Sequence, residues 1–418
     1  MGGVSMEWKE VRLGDVCEIK HGFAYKGKYF SDTPTCDILV TPGNFTLSGG
    51  FKLDKPKFYN GPVEKDYILS KGDLIVTMTD LSKNIDTLGY SALVPEVKGL
   101  TFHHNQRIGL VENIANNVDK YFLYWIMRTP AYQSFIATHS SGTTVHHTSP
   151  KGIGNYIFKL PPLDDQRRIA SILSSLDRKI ELNNKINADL EEMAQAIFKN
   201  WFVDFEPFKD GKFVDSELGM IPEGWKVGRL DEIADVVGGS TPSKAKPEYY
   251  TQKGIAWLTP KDLSNHPAVY TSRGEIDITE EGYNSTSTKL MPKGTVLFTS
   301  RAPIGYISIA QNDICTNQGF KSLVPKKAGT CFLYCFLKYV TPEIENKSTG
   351  STFKEASGSL MKSLQEIIPE QNVFEEFEAI VSPLFARIES LEKENSRLSL
   401  LRDTLLPRLM SGELEVPE

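Results

Sequence analysis

Two stretches of the chain carry apolar residues in alternating steps of three and four, the pattern of a helix that buries one narrow seam. In the first stretch the seam positions are Leu176, Ile180, Asn183, Asn187, Leu190, Ala194, Ile197 and Trp201. In the second stretch they are Phe377, Ile380, Leu384, Ile388, Leu391, Asn395, Leu398, Leu405 and Leu409. The pattern predicts two long helices, over residues 161–205 and 370–412, each about 60 Å long.

The two predicted helices correspond to each other position by position. The aligned pairs include Ile180 with Ile388, Asn187 with Asn395 and Leu190 with Leu398. A buried seam needs a partner, and we expect the two helices to pair with each other in antiparallel orientation. Asparagine in such a seam commonly fixes the register of pairing at a cost in stability. The alternative, that these asparagines face solvent where the seam frays, stays open.

The remaining sequence consists of two diverged copies of one unit. The matching landmarks are Trp8-Lys9 and Trp225-Lys226, Thr41-Pro42 and Thr259-Pro260, Lys71-Gly72 and Lys293-Gly294, and Asn105-Gln106 and Asn317-Gln318. They keep the same order, and their offsets drift only as loop insertions and deletions would make them drift. The sequence therefore indicates a duplication.

Each copy contains strand-like runs bounded by turn residues, such as KGDLIVTMT from Lys71 and KGTVLFTS from Lys293. Each copy ends at proline before its own helix. We predict an α+β fold with two similar globular α/β domains, residues 1–160 and 223–369, and a pseudo-twofold internal repeat. Two long antiparallel helices forming a coiled coil separate them, and residues 206–222, rich in charge, proline and glycine, are predicted to be a linker.

The charge of the chain is unevenly distributed. The net charge is −6, from 47 Lys and Arg against 53 Asp and Glu. The acidic excess lies in the predicted helices, because residues 161–205 hold 6 basic against 8 acidic side chains and residues 370–418 hold 5 against 11. Acidic helices are unsuited to lie against phosphates, so the two globular units are the candidates for contact with a nucleic acid.

Composition excludes several other classes of protein. No apolar run approaches the length of a membrane span, and the N-terminal sequence lacks the basic start and apolar core of a signal peptide. The five cysteines show no paired CxxC spacing, which argues against a disulfide framework or a zinc ribbon. We expect a cytoplasmic protein without membrane contact.

At this point the chain resembles the specificity subunits of type I restriction-modification systems. The resemblance rests on KGDLIVTMTDLS from Lys71, the PPLDDQRRIASILSSLDRKIELNNKIN run from Pro161, GMIPEGW from Gly219, TSRAPIGYISIA from Thr299 and LRDTLLPRLMSGE from Leu400. It covers nearly the whole chain. It implies two target-recognition domains that each bind one half of a bipartite site on double-stranded DNA, and a helix pair that sets their spacing.

The resemblance also implies partners and cofactors. The helices would dock two methyltransferase subunits, and restriction subunits that translocate DNA would join them. S-adenosylmethionine, ATP and Mg would be bound by those partners and not by this chain. The sequence itself contains no glycine-rich cofactor loop after a strand and no catalytic motif for a flipped adenine. We therefore predict a non-catalytic subunit.

Candidate DNA contacts come from basic, amide and hydroxyl side chains in matching loops of the two copies. Bidentate side chains are the best readers of base edges, and lysines contact phosphates without sequence choice. In the first copy the candidates are Lys26, Lys28, Lys83, Gln106, Arg107, Thr143, Thr144 and His146. In the second copy they are Lys244, Lys246, Lys261, Arg301, Gln318, Lys321 and Lys354, the last at the position of His146. For Asn105 and Asn317 we favour a structural role in a turn.

Three alternatives are weighed against DNA recognition. The GFAYKGK loop from Gly22 has the glycine and lysine spacing of a phosphate-binding loop, but Tyr29 stands where Ser or Thr must bind magnesium. The histidines of the first copy, including His103-His104, lack accompanying ligands at metal spacing, so no metal site is predicted. A two-headed coiled-coil adaptor for protein or RNA is not excluded by the physical pattern. The resemblance and the basic loops at matching places in both copies favour DNA.

Overall fold

The computed structural model describes residues 8–47, 49–80, 82, 85–349 and 354–416. These residues form two compact units. The first unit contains the described residues of 1–179 and 397–418, and the second contains those of 180–396. Each unit therefore holds one globular part and a portion of both long helices.

The first unit is built on two sheets. In hydrogen-bonding order the five-stranded sheet consists of Phe30–Ser31, Lys57–Tyr59, Asp37–Val40, Thr101–His104 and Ile68–Leu69. The four-stranded sheet consists of Glu18–His21, Ile108–Glu112, Leu74–Thr77 and Ser91–Leu93. Two further strand pairs are Lys9–Arg12 with Ile157–Leu160, and Thr79–Asp80 with His146–His147. The short helices are Leu13–Val16, Lys120–Ile126, Pro130–Thr138 and Pro150–Gly154.

The second unit has one large sheet. Its strands, in order, are Ala234–Gly238, Lys321–Pro325, Val296–Ser300, Ile304–Ala310 and Tyr270–Thr271. The strand pairs are Phe213–Ser216 with Gly219–Pro222, Lys226–Arg229 with Gln365–Ile368, Tyr250–Thr251 with Asp277–Ile278, and Trp257–Leu258 with Cys315–Thr316. The helices are Leu230–Ile233, Pro260–Asn265, Glu280–Asn284, Thr330–Lys347 and Gly358–Ser363.

The duplication predicted from the sequence is visible in the strand pairing. Each globular part contains a strand that pairs antiparallel with the strand directly before the following long helix: Lys9–Arg12 pairs with Ile157–Leu160, and Lys226–Arg229 pairs with Gln365–Ile368. Each also contains a parallel pair formed by strands far apart in sequence, Asp37–Val40 with Thr101–His104 and Trp257–Leu258 with Cys315–Thr316. The α+β fold class and the internal repeat are confirmed.

The two predicted long helices are present as Leu163–Phe202 and Gln371–Ser411, which we call the first and second long helix. In the first unit Leu173 shares an apolar core with Leu409, so the start of one helix packs beside the end of the other. In the second unit Phe198 shares a core with Phe377, which joins the opposite ends. The pairing is therefore antiparallel, as predicted.

The seam of the helix pair follows the predicted positions closely. None of the following is exposed: Leu176, Ile180, Asn187, Leu190, Ile197, Ile388, Leu391, Asn395, Leu398 and Leu405. Ile380 is wrong as a seam position, because its side chain is 48% exposed. Val381 and Phe385 are buried in its place. Both residue sets have helical spacing, and the second is the one that packs in the core, where the ring of Phe385 lies 5.2 Å from that of Tyr334 in the helix Thr330–Lys347.

The asparagines of the seam bond to one another. Asn183 is fully buried, and its Nδ2 donates to Oδ1 of Asn395 at 2.8 Å and to Oε2 of Glu394 at 2.9 Å. Nδ2 of Asn395 donates to Oδ1 of Asn184 at 2.7 Å. The solvent-facing alternative is therefore wrong for Asn183, and these side-chain hydrogen bonds form in one register of the helix pair.

The predicted linker has structure of its own. Residues Glu206–Phe208 form a single 3-10 turn, and Phe213–Ser216 pairs with Gly219–Pro222 as a hairpin. Gly219 adopts φ of 99°, a conformation that favours glycine in a tight turn. None of the helices formed by the described residues is long and apolar enough to cross a membrane.

Candidate nucleic-acid interface

The loop that begins at Gly22 lies against the turn at residues 105–107 in the first unit. The backbone N–H of Phe23 donates to the carbonyl of His104, and that of Gln106 donates to the carbonyl of Phe23, both at 2.9 Å. A Cβ atom on Gly22 would lie 2.1 Å from the carbonyl oxygen of Asn105. Glycine is therefore required for this close approach of two backbones.

The second unit repeats the arrangement. The backbone N–H of Ser240 donates to the carbonyl of Thr316 at 3.0 Å. A Cβ atom on Gly239 would lie 2.2 Å from the carbonyl oxygens of both Thr316 and Asn317. Gly239 thus has the role of Gly22, and the loop from Gly239 takes the place of the loop from Gly22.

Two more segments complete the site in each unit through matching backbone bonds. In the first unit Met78 N donates to Arg107 O at 2.9 Å, and Thr148 N donates to Met78 O at 3.0 Å. In the second, Ser300 N donates to Gly319 O at 2.7 Å, and Ala356 N donates to Ser300 O at 2.9 Å. We call residues 22–28, 78–80, 105–107 and 146–148 the first face, and residues 239–246, 300–301, 317–319 and 354–356 the second face.

Asn105 and Asn317 hold the central turn of each face. Oδ1 of Asn105 accepts from the backbone N–H of Arg107 at 3.1 Å, and Oδ1 of Asn317 accepts from that of Gly319 at 2.8 Å. Both side chains bond to the backbone two residues on, which is an Asx turn. The structural role favoured from the sequence is the one observed.

Seven of the eight candidate residues of the first unit lie in the first face or in the loop next to it. Lys26, Lys28, Gln106 and Arg107 are exposed there. Thr143 and Thr144 are exposed in the loop that leads to the strand of His146, which is half-buried. Lys83 lies outside the described residues. The loop from Gly22 continues into a 3-10 turn, Gly27–Tyr29, and a strand, and not into the helix that a phosphate-binding loop precedes.

The candidates of the second unit surround a cleft of about 800 Å³. Lys244, Lys261, Arg301 and Gln318 line it. Lys246 is exposed beside it, and its Nζ bonds to the Tyr249 hydroxyl at 2.9 Å, a contact that raises the pKa of Lys246. Four of the seven candidates therefore share one concave surface.

Lys321 and Lys354 are not among the residues that line the cleft. The Lys321 side chain is 17% exposed, and its Nζ lies 3.6 Å from Oε1 of Glu355. Arg301 Nη1 lies 3.3 Å from Oε2 of the same carboxylate. Lys354 is exposed, with Nζ 3.3 Å from the carbonyl of Glu345. Of these three cations, Arg301 alone both lines the cleft and is held by a carboxylate.

Sequence reasoning missed two side chains that shape the faces. Thr241 lines the cleft, and its hydroxyl donates to the side-chain oxygen of Gln318. Asp80 is buried and accepts from the N–H groups of Ser82 at 2.6 Å and Thr87 at 2.5 Å. Burial alone would raise the pKa of Asp80, but these bonds reverse the effect and lower it. An aspartate directly after a buried strand is the signal that could have drawn attention to this loop.

The adjacent histidines have separate structural roles. Nε2 of His103 lies 2.7 Å from Oδ1 of Asp37, and Nε2 of His104 lies 2.8 Å from the carbonyl of Ile108. They alternate along one strand and have different partners. Burial lowers the pKa of His104 to about 4, so this imidazole is neutral at physiological pH.

With this geometry established, comparison with known proteins decides the family. The model of the type I restriction modification DNA specificity domain matches residues 6–192 and 222–400. The chain belongs to the type I restriction-modification specificity subunits. Each matched segment contains one globular part and the greater part of the long helix that follows it, which agrees with the duplication described above.

Individual specificity subunits match over different lengths. The HindI specificity subunit of Haemophilus influenzae is 27% identical over 98% of this chain and 100% of its own length. The MjaIX specificity subunit of Methanocaldococcus jannaschii is 40% identical, but over 45% of this chain and 44% of that protein. The crystal structure of a type I S subunit from M. genitalium aligns over 98% of both chains with a TM-score of 0.58 and 17% identity, which shows a shared fold.

Proposed function

We propose that the first and second faces each bind one half of a bipartite site on double-stranded DNA. The observation that supports this most directly is that the two faces share one backbone framework but carry different side chains on it. The backbone bonds of the two faces match, while Arg107 corresponds to Gly319 and Arg301 to Thr79. A family member that selects two different half-sites needs such a combination, because the framework positions side chains and the side chains choose bases.

The chemistry of the two faces suits DNA. Arg107 and Arg301 offer the planar fork that bonds two acceptors of guanine, and Gln106 and Gln318 offer the amide that pairs with adenine. Lys26, Lys28, Lys244 and Lys261 supply positive charge around these groups and would contact phosphates. The salt bridge from Arg301 to Glu355 is half-exposed, so a base edge or phosphate can replace the carboxylate at small cost.

The helix pair would dock the other subunits. We infer that two methyltransferase subunits bind along the long helices, whose acidic excess disfavours DNA there and favours basic protein surfaces. Restriction subunits would join through that complex. S-adenosylmethionine, ATP and Mg would bind to these partners, and this chain would perform no chemistry itself. Such a complex would act on DNA in the cytoplasm.

The alternative of a two-headed adaptor for protein or RNA is not favoured by the family match. The two proposals differ in one requirement. A specificity subunit must confer sequence choice on a methyltransferase, whereas an adaptor for protein or RNA would not.

The proposed function is tested by co-expressing this chain with the methyltransferase subunit of its system and mapping methylated adenines on a plasmid library. Methylation confined to one split motif is expected, and only when this chain is present. Arg107→Ala should relax one half of the motif by about 5- to 150-fold, and Arg301→Ala the other half, because a bidentate contact is worth roughly that discrimination.

A matched control is Lys159→Ala, which removes an exposed lysine on the strand Ile157–Leu160, outside both faces. It should leave the motif unchanged. Methylation that does not depend on this chain, or arginine variants that alter both halves equally, would contradict the proposed function.

A further inference from the structure

The two glutamines hold the same place in their faces. Gln106 follows Asn105 in one Asx turn, and Gln318 follows Asn317 in the other. Both side chains are exposed. Gly22 and Gly239, and Asn105 and Asn317, are also repeated, but these residues shape the backbone. Other positions differ between the units, as Arg107 and Gly319 do, so the repeated glutamine needs an explanation other than the turn itself.

The support given to the two amides differs. In the second face the Thr241 hydroxyl donates to Oε1 of Gln318. The corresponding position of the first face is Ala24, two residues after Gly22 as Thr241 is two residues after Gly239. Alanine has no hydroxyl, so Gln106 lacks this contact. The Thr241 hydroxyl thus holds the Gln318 amide before DNA binds. The Gln106 amide has no such hydroxyl beside it and can rotate about its Cγ–Cδ bond.

With the Thr241 hydroxyl bonded to Oε1, the Gln318 amide can still form hydrogen bonds with the edge of a purine base. Oε1 has two lone pairs, and Thr241 takes one of them. The second lone pair can accept from an adenine N6 amino group while Nε2 donates to N7, the bidentate pairing that glutamine makes with adenine. Rotation of the amide by half a turn would place Nε2 against the N6 amino group of adenine, donor against donor, so the orientation in which Thr241 donates to Oε1 is the one that fits adenine.

We propose that Gln106 and Gln318 each read an adenine at corresponding positions of the two half-sites, and that Thr241 is a positioning residue that makes the second reading the stricter one. The proposal rests on the proposed DNA-binding function. It predicts that the two half-sites share one base although the rest of each differs. It also predicts that selectivity at that base is unequal between the halves.

The test uses the full complex with the methyltransferase subunit and a library randomised at every position of both half-sites. The wild-type complex should show adenine at one position in each half, with stronger preference in the second. Gln318→Ala should reduce adenine preference there by about 5- to 150-fold, and Gln106→Ala should act on the first half alone.

Thr241 is tested by three substitutions. Thr241→Val keeps the shape and removes the hydroxyl, so adenine preference should fall by roughly 2- to 12-fold at that single position, the effect of one hydrogen bond. Thr241→Ser should restore it. Ala24→Thr in the first unit should sharpen the first half-site.

Several outcomes would overturn the proposal. They are unequal bases opposite the two glutamines, no change in Thr241→Val, or a loss spread over the whole half-site, which would mean that Thr241 only stabilises the loop. These outcomes differ from failure of the proposed function, in which even the wild-type chain would confer no motif on the methyltransferase.

Discussion

Single residues connect the globular part of each unit to the long helices. In the first unit the Asp177 carboxylate forms salt bridges with Arg128 at 2.8 Å and with Arg402 at 2.6 Å. The two arginine side chains are only 3% and 11% exposed. The Arg128 guanidinium also lies 4.3 Å from the ring of Trp125.

In the second unit the Glu191 carboxylate accepts a hydrogen bond from the Tyr334 hydroxyl at 2.8 Å and forms a salt bridge with Lys338 at 2.5 Å. Both carboxylates belong to the first long helix.

Asp177→Ala is expected to destabilise the first unit by about 3 kcal/mol, because it leaves two nearly buried guanidinium groups without their shared carboxylate. Hydrogen exchange of the helix Lys120–Ile126 measures this loss. Glu413→Ala is the control, since its ion pair with Arg408 is largely exposed and should change stability by less than about 1 kcal/mol. Equal effects of the two substitutions would contradict the prediction.

Glu392 makes the second unit sensitive to pH. Its carboxylate accepts from the N–H groups of Val269 at 2.7 Å and Tyr270 at 3.0 Å. Burial nevertheless raises its pKa from 4.5 to about 7, with Glu191 and Glu389 adding to the shift and the two N–H bonds opposing it. Between these pH values the folded chain keeps a proton that the unfolded chain has lost, so this group's contribution to stability falls as pH rises from 4.5 through 7.

Glu392→Gln is expected to remove this dependence. The amide cannot ionise, but its Nε2 cannot accept the backbone N–H bond that one carboxylate oxygen accepts, so the variant should be less stable than wild type near pH 4.5. That difference should shrink as pH rises from 4.5 through 7, because only the wild type loses stability there. Urea denaturation of both proteins across that range gives the difference. A constant difference in the free energy of unfolding at all pH values would contradict the raised pKa.

At the scale of elements, the asparagine contact fixes how the long helices align. The buried Asn183 amide donates to Asn395 inside a seam that is otherwise largely apolar. The contact belongs to this register alone, since a shift of either helix would place an amide against an apolar side chain. Apolar residues at both positions would pack in several registers, so the pair contributes specificity more than stability.

Asn395→Leu should lower stability by about 1–3 kcal/mol, because it removes one of the two acceptors of the buried Asn183 amide and leaves only Glu394. Asn183→Leu combined with Asn395→Leu should recover that loss, since both polar groups are then absent. Thermal unfolding of the single and double variants measures the coupling. Leu400→Ala, at a position 70% exposed, is the control and should have little effect.

At the scale of the whole molecule, charge limits what the chain can do alone. A net charge of −6 opposes the approach of a polyanion, and the basic side chains of the faces are few. We therefore expect the isolated chain to bind duplex DNA weakly, with the methyltransferase subunits supplying much of the positive surface around it.

Anisotropy titration of a labelled duplex measures this expectation. Added methyltransferase should tighten binding at least about 10-fold at 150 mM salt, and raising the salt should weaken the complex steeply. An isolated chain that binds its target as tightly as the complex does would contradict the expected division of labour.

The sequence by itself determined the long helices and the duplication, because both depend on periodicity. The spacing of Leu176, Ile180 and Asn187 specifies a helical seam whatever it packs against, and repeated landmarks survive changes in loop length. It also selected every segment of the two faces except residues 78–80. Within the second helix the sequence selected Ile380, whereas the fold buries Val381, since both have helical spacing and only packing in the folded chain distinguishes them.

Tertiary structure alone decided which side chains meet. Thr241 and Gln318 are far apart in sequence, and a glycine that allows two backbones to touch brings them together. The fold also places Lys321 beside Glu355 and Lys244 in the cleft. Both residues are lysines, so the amino-acid composition cannot predict this difference. Periodicity is a local property that a linear pattern carries, whereas the partner of a polar side chain depends on loop geometry and on close packing between distant segments.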